Sequence, residues 1–252
     1  MLDAILWGAL QGLTEFLPVS SSGHLVLIPA LLGRQGPDIG TTAMLHLGTL
    51  AAVLVYYRRH LVRMAKFDRP GRRMITIIVI GTIPAVIFGL LLESTLDSLT
   101  ERPKAVAGML ILTGLIMLAT MLLRPGTKTT EKLSPTDGAL IGLAQTVALI
   151  PGVSRSGMTI SAGLARGMDR IEAARFAFLL GIPVIAGAGL LSVAKALSDG
   201  AGITTATVVG MTVAGLVGYW AIGFLIRILG KIGLAPFGIY CVLAGVLGVI
   251  IL

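Results

Sequence analysis

A pattern that occurs twice limits what this chain can become. Gly8, Gln11, Val19-Ser20 and Ser22-Gly23 recur as Gly142, Gln145, Val153-Ser154 and Ser156-Gly157, all shifted by 134 residues. Each copy breaks an apolar segment, at Pro18-Val19-Ser20-Ser21-Ser22-Gly23-His24 and at Pro151-Gly152-Val153-Ser154-Arg155-Ser156-Gly157. In a bilayer such a break strands backbone N–H and C=O groups, so it survives only inside protein or beside a polar cavity. Paired breaks in the two halves of a membrane protein point to a binding site between them.

The sequence around the breaks is of membrane grade. Of 252 residues 55% are hydrophobic and 13% charged, with mean hydropathy +0.94, far from the balance of a soluble domain. Six stretches are long enough to cross, near 41–57, 74–92, 104–123, 175–197, 203–225 and 236–252. Regions 2–33 and 137–165 are each cut into halves too short to cross, so each reads as a re-entrant pair. The expected fold is an all-α polytopic membrane protein, with six spanning helices and two re-entrant helix pairs in one domain over 1–252.

Charge fixes the expected orientation. Loop 58–73 carries seven basic residues and one acid, Asp68, which places it in the cytoplasm. Alternate crossings then put 124–136, 166–175 and 226–235 inside too, and these four segments hold 15 of the 20 Lys and Arg. Segments 93–101 and 198–202 fall outside. The first broken region therefore enters from outside and the second from inside. That is an inverted repeat, about 1–125 against 135–252, in a plasma (inner) membrane protein. The net charge of +8 sorts by loop, which argues against a nucleic-acid partner. The single cysteine, Cys241, excludes an internal disulfide and reads as a small buried hydrophobe.

Chemistry gathers at the breaks. Gln11 and Glu15, four apart, share a helix face. A carboxylate at depth marks a function or is held by caps without chemistry. Ser20, Ser21, Ser22 and Gly23 suit the cap of a second helix beginning near His24 or Leu25, whose free N–H groups would attract an anion. Histidine as a residue type titrates near neutral pH, so His24 is a candidate general acid–base or a polar cap. In the second copy Ser154, Ser156, Gly157 and Thr159 surround Arg155, with Ser161 a further candidate. The guanidinium of Arg155 fits either a phosphate or a fixed ion pair with Glu15. His46 is a secondary candidate within a spanning stretch. Glu93, Asp97 and Glu101 read as a solvated outer loop. No metal-ligand cluster, phosphate-binding Gly-Lys loop or dinucleotide fingerprint appears.

These motifs, over essentially the whole chain, resemble the undecaprenyl-diphosphate phosphatases of the bacitracin-resistance type. The family often writes its first motif with glutamate at both ends of a Glu-x-x-x-Glu stretch; here the first is Gln11, so one carboxylate, Glu15, carries over. The resemblance implies hydrolysis of the C55 lipid diphosphate to its monophosphate and phosphate on the outer face. It also implies a divalent cation, Mg2+ or Ca2+, reached by Glu15 through the bound diphosphate, and a homodimer. Glu15, Ser21, His24 and Arg155 would be catalytic. Gln11, Ser20, Ser22, Gly23, Ser154, Ser156, Gly157 and Thr159 would bind the polyprenyl diphosphate. Glu15 is the expected base, with Ser21 as nucleophile or as a phosphate ligand. A secondary transporter or lipid-phosphate flippase is the chief rival, because inverted repeats with broken helices also build carriers.

Overall fold

The computed structural model describes residues 1–198 and 204–252. Of the expected outer segment 198–202, residues 199–202 lie outside that description. Twelve α-helices form among the described residues. The first six are α1 (Leu2–Phe16), α2 (Ser21–Leu31), α3 (Ile39–Tyr56), α4 (Arg58–Met64), α5 (Arg69–Leu91) and α6 (Glu93–Thr100). The second six are α7 (Pro103–Ala119), α8 (Pro135–Val147), α9 (Arg155–Ala165), α10 (Arg170–Ser198), α11 (Thr205–Ile232) and α12 (Ala235–Ile251).

Among the described residues four stretches are long and apolar enough to cross a membrane: Arg69–Leu91, Pro103–Leu122, Arg170–Leu191 and Thr205–Ile232. A fifth forms if α3 and α4 count as one span despite a 74° bend between them. The apolar α12 is shorter, at 17 residues. The protein is a helical, multi-pass membrane protein. Its outer faces are built for lipid: Val79, Ile83, Val86 and Leu90 are exposed along one side of α5, at helical spacing.

Two segments read as loops are helical. Arg58–Met64 forms α4 and Glu93–Thr100 forms α6. Neither contains glycine or proline, and both hold residues that tolerate a helix, so polarity alone did not break them.

The breaks follow from local chemistry. Leu17, placed before Pro18, is extended at φ −63°, ψ 140°, because the proline ring disfavours a helical predecessor. Ser20 then adopts φ 68°, a left-handed conformation that costs a non-glycine residue strain. Its hydroxyl accepts from Gly23 N at 3.2 Å, so α2 starts at Ser21, earlier than the sequence suggests. In the second copy Gly152 supplies the positive φ, at 91°, and Ser154 caps α9 by accepting from Gly157 N at 3.1 Å.

Packing repeats with the motif. α1 lies along α11, and α8 lies along α5, while α3 meets α10 and α7 meets α12. The duplicated glycines make the first two crossings possible. A Cβ on Gly8 would stand 2.4 Å from the carbonyl oxygen of Gly210, and one on Gly142 would stand 2.3 Å from that of Gly81. At the other end of α8, buried Asp137 accepts from Arg166 Nε at 2.8 Å, Lys128 Nζ at 3.2 Å and Ser134 N at 2.9 Å. That cluster fastens the linker between halves to the second hairpin.

Gly142→Val should therefore lower the melting temperature in detergent, at a cost of about 1–3 kcal/mol from overpacking. Gly108→Ala, with nothing within 4 Å of the new Cβ, should leave it unchanged. Equal melting of both variants would show that the close α5–α8 approach does not support the fold.

Candidate active site

Glu15 is the hub. It lies at the C-terminal end of α1, buried, where a bare carboxylate would be costly. Four side chains surround it. Gln11 Nε2 donates to Oε2 at 3.0 Å, and Ser21 Oγ donates to the same oxygen at 2.7 Å. Arg155 Nη2 donates to Oε1 at 3.0 Å, from the far half of the chain. His46 Nε2 stands 3.7 Å from Oε2. The i, i+4 spacing on α1 puts Gln11 beside Glu15, and the first break turns Ser21 back onto it.

The two breaks touch. Gly152 N donates to Ser22 Oγ at 3.4 Å, and Ser156 Oγ donates to the carbonyl of Leu17 at 3.2 Å. Each break carries the same pair of hydroxyls: Ser20 Oγ and Ser22 Oγ lie 3.3 Å apart, as do Ser154 Oγ and Ser156 Oγ. Thr113 on α7 steadies the second break, accepting from Ser154 N and donating to Gly152 O, both at 3.2 Å.

Between them opens a cavity of about 200 Å³. Glu15, Ser20, Ser21, Ser22, Ser154 and Arg155 line it, with His46 from α3 and Val184, Ile185 and Ala188 from α10. A second cavity of about 600 Å³ extends toward Arg34, Asp97 and Glu101, and it shares Ser22, His46 and Ala188 with the first. Asp97 and Glu101 thus border a cavity rather than only a solvated loop.

Arg155 divides its fork. Nη2 holds Glu15, while Nη1 is buried with no hydrogen-bond partner. The guanidinium packs on Gly181 of α10, where a Cβ would come within 1.7 Å of Nη1. That nitrogen is shut against Gly181 rather than open to the cavity, so it is a buried charged donor without a partner.

Other candidates sit behind the cavity wall. His24 does not line it. Its Nδ1 donates to the carbonyl of Ser20 at 2.8 Å, and its Nε2 accepts from the Tyr240 hydroxyl at 2.6 Å. The two rings also stack, with centroids 5.6 Å apart. Thr159 turns its hydroxyl onto the carbonyl of Arg155 at 2.7 Å. Gly23 and Gly157 spend their N–H groups on the serine caps. Ser161 Oγ and both amide atoms of Gln145 are buried without partners. Sequence reasoning passed over Tyr240, Thr113 and Gly181, since long-range contacts leave no local signal.

This geometry meets an independent finding. The family model described as bacitracin resistance protein BacA matches residues 4–247. The chain belongs to this family. Its relatives include the undecaprenyl-diphosphatase of Rubrobacter xylanophilus, 41% identical over 95% of this chain and 94% of that protein. That of Trichlorobacter lovleyi is 43% identical over 98% and 95%, and that of Halothermothrix orenii 40% over 100% and 98%.

A resident cation does not fit this BacA-family site. Both oxygens of Glu15 already accept from side-chain donors, and Gln11 stands where the resemblance expects a second carboxylate. No group of three His, Cys, Asp or Glu gathers among the described residues, whereas Mg2+ and Ca2+ require several oxygen ligands.

The buried ion pair makes a stability prediction. Glu15→Gln or Arg155→Gln alone strands the opposite charge and should cost about 3–5 kcal/mol. The double variant should recover most of that loss in a thermal melt. Additive losses in the double variant would show that the two charges do not support each other.

Proposed function

We propose that this protein is an integral membrane phosphatase. It hydrolyses undecaprenyl diphosphate to undecaprenyl phosphate and inorganic phosphate, recycling the lipid carrier for cell-wall synthesis. One observation carries the chemistry: a single buried carboxylate, Glu15, receives the Ser21 hydroxyl and the Arg155 guanidinium at the mouth of a cavity. The names of the relatives favour a hydrolase over a carrier.

In this reading Glu15 is the general base. Ser21 Oγ attacks the terminal phosphorus of the diphosphate as its proton passes to Glu15. The bond to the bridging oxygen breaks, and its electron pair leaves with the lipid monophosphate. Water then attacks the phosphoserine as its proton passes to the recharged Glu15. The P–Oγ bond breaks, Glu15 returns that proton to Ser21 Oγ, and phosphate leaves. Arg155 offsets the charge on phosphate from the cavity wall, aided by the N-terminal turns of α2 and α9. Ser22 and Ser154 face the phosphate, and Ser20, Gly23, Ser156, Gly157 and Thr159 shape the two tips. Gln11 fixes the carboxylate. His24 acts from behind, holding the strained Ser20 turn through its carbonyl. Mg2+ or Ca2+ would be held mainly by the substrate's own oxygens and would offset phosphate charge there.

We further infer six crossings, by α3, α5, α7, α10, α11 and α12, with α1–α2 and α8–α9 as re-entrant pairs in an inverted repeat. The pairing of α1 with α11 and of α8 with α5 supports that symmetry. The basic loops then face the cytoplasm of a plasma (inner) membrane protein, and the larger cavity opens outward. A homodimer is the proposed assembly.

Purified protein in detergent should release phosphate from the C55 lipid diphosphate. Glu15→Gln should slow release by about 10²–10⁴, the range for a lost general base. Arg155→Lys should also lose most activity, because an ammonium keeps the charge without the fork. Normal turnover by Glu15→Gln would falsify the assignment of the base. For orientation, cysteines placed in 58–73 and 124–136 should be labelled only from the cytoplasm, and those in 93–101 only from outside. Labelling of 58–73 from outside would overturn the topology.

A further inference from the structure

Glu15 has an unsolved problem after it acts as a base. The leaving group is a phosphate monoester, whose second ionisation lies near 6, so at neutral pH it departs without needing a proton. The proton taken from the nucleophile therefore stays on Glu15, which cannot serve again until it is cleared. Its neighbours restrict where it can go. Gln11 Nε2 and Arg155 Nη2 only donate to it, and Ser21 Oγ, once it has attacked, is esterified to phosphate until a deprotonated Glu15 activates water. His46 is different. Its Nδ1 donates to the carbonyl of Thr42 at 2.8 Å, which leaves the Nε2 lone pair free, 3.7 Å from Glu15 Oε2. A small side-chain adjustment brings that separation into hydrogen-bond range.

The surroundings of His46 fit an exit. Its side chain is 30% exposed, against 6% for Glu15. Ser22, His46 and Ala188 are the residues that line both cavities, and only the histidine among them carries a ring nitrogen that can take and give up a proton. The charged groups that face it are Glu15 on α1 and Arg155 on α9, with Arg34, Asp97 and Glu101 around the larger cavity. Against α3 also pack α10 and α11. The described charges of α10, Arg170, Glu172 and Arg175, lie at its N-terminal end, and those of α11, Arg227 and Lys231, at its C-terminal end.

We propose that His46 is the proton relay of this site. Nε2 takes the proton from Glu15 Oε2, the carboxylate regains its charge beside Arg155, and the imidazolium releases the proton into the larger cavity. His46 touches Glu15 rather than the reacting phosphorus, so it acts through the base. The inference rests on Glu15 being that base, and it holds whether Ser21 or water attacks.

The test separates the first turnover from later ones. In rapid-quench assays with C55 lipid diphosphate in detergent, His46→Gln keeps a polar side chain but cannot carry a proton. It should release the first equivalent of lipid monophosphate at the wild-type rate, then turn over about tenfold more slowly. That slow phase should speed up as pH rises, when hydroxide and buffer can strip Glu15 directly. Added imidazole should restore turnover to His46→Ala and not to Glu15→Gln. A wild-type steady state with an unchanged pH profile in His46→Gln overturns the relay. So does an equal loss in the first turnover and the steady state, or a folded His46→Ala that imidazole leaves unrescued. Full activity of Glu15→Gln would instead sink the underlying reading, whatever His46 does.

Discussion

The ion pair between Glu15 and Arg155 organises this molecule. Neither charge is tolerable alone in an apolar interior, and each comes from a different half of the chain. Their 3.0 Å contact therefore commits the two broken segments to meet. Once they meet, the stranded backbone of one break finds partners in the other, as Gly152 N does at Ser22 and the Leu17 carbonyl does at Ser156. Polar groups that would forbid each break in isolation become the walls of a shared cavity.

The same pair explains why the site is poised rather than relaxed. Arg155 satisfies Glu15 with one nitrogen and leaves the other buried and unpartnered. Ser20 holds a positive φ that a glycine would adopt without strain. These are local costs carried by the surrounding helices, whose close crossings at Gly8 and Gly142 hold the hairpins in place. The arginine, the strained cap and the serine on the carboxylate line one cavity of about 200 Å³.

The two copies of the motif have diverged in chemistry while keeping their geometry. Both start a helix from a serine cap, both pair hydroxyls at 3.3 Å, and both place a glycine N–H on the cap. Yet the first supplies the carboxylate and the second the guanidinium. Two motif copies of like geometry thus frame one cavity, and Glu15 and Arg155 make its two sides unlike.

Much of this was legible in the chain itself. The recurrence at one offset, the breaks, the helix content and the caps at Ser20 and Ser154 follow from local rules about proline, serine and apolar run length. The spacing of Gln11 and Glu15 also fixed their contact, because four residues span one helical turn. Tertiary structure decided the rest. Whether His24 or His46 stands beside Glu15 depends on how α3 and α12 pack, and no local pattern encodes that. Tyr240 lies 216 residues from His24 yet holds its ring, and Gly181 matters only because Arg155 lies on it. Sequence determined which groups had to be buried, since the cost of burying polarity is local. Only the packing of helices determined which partner each buried group received.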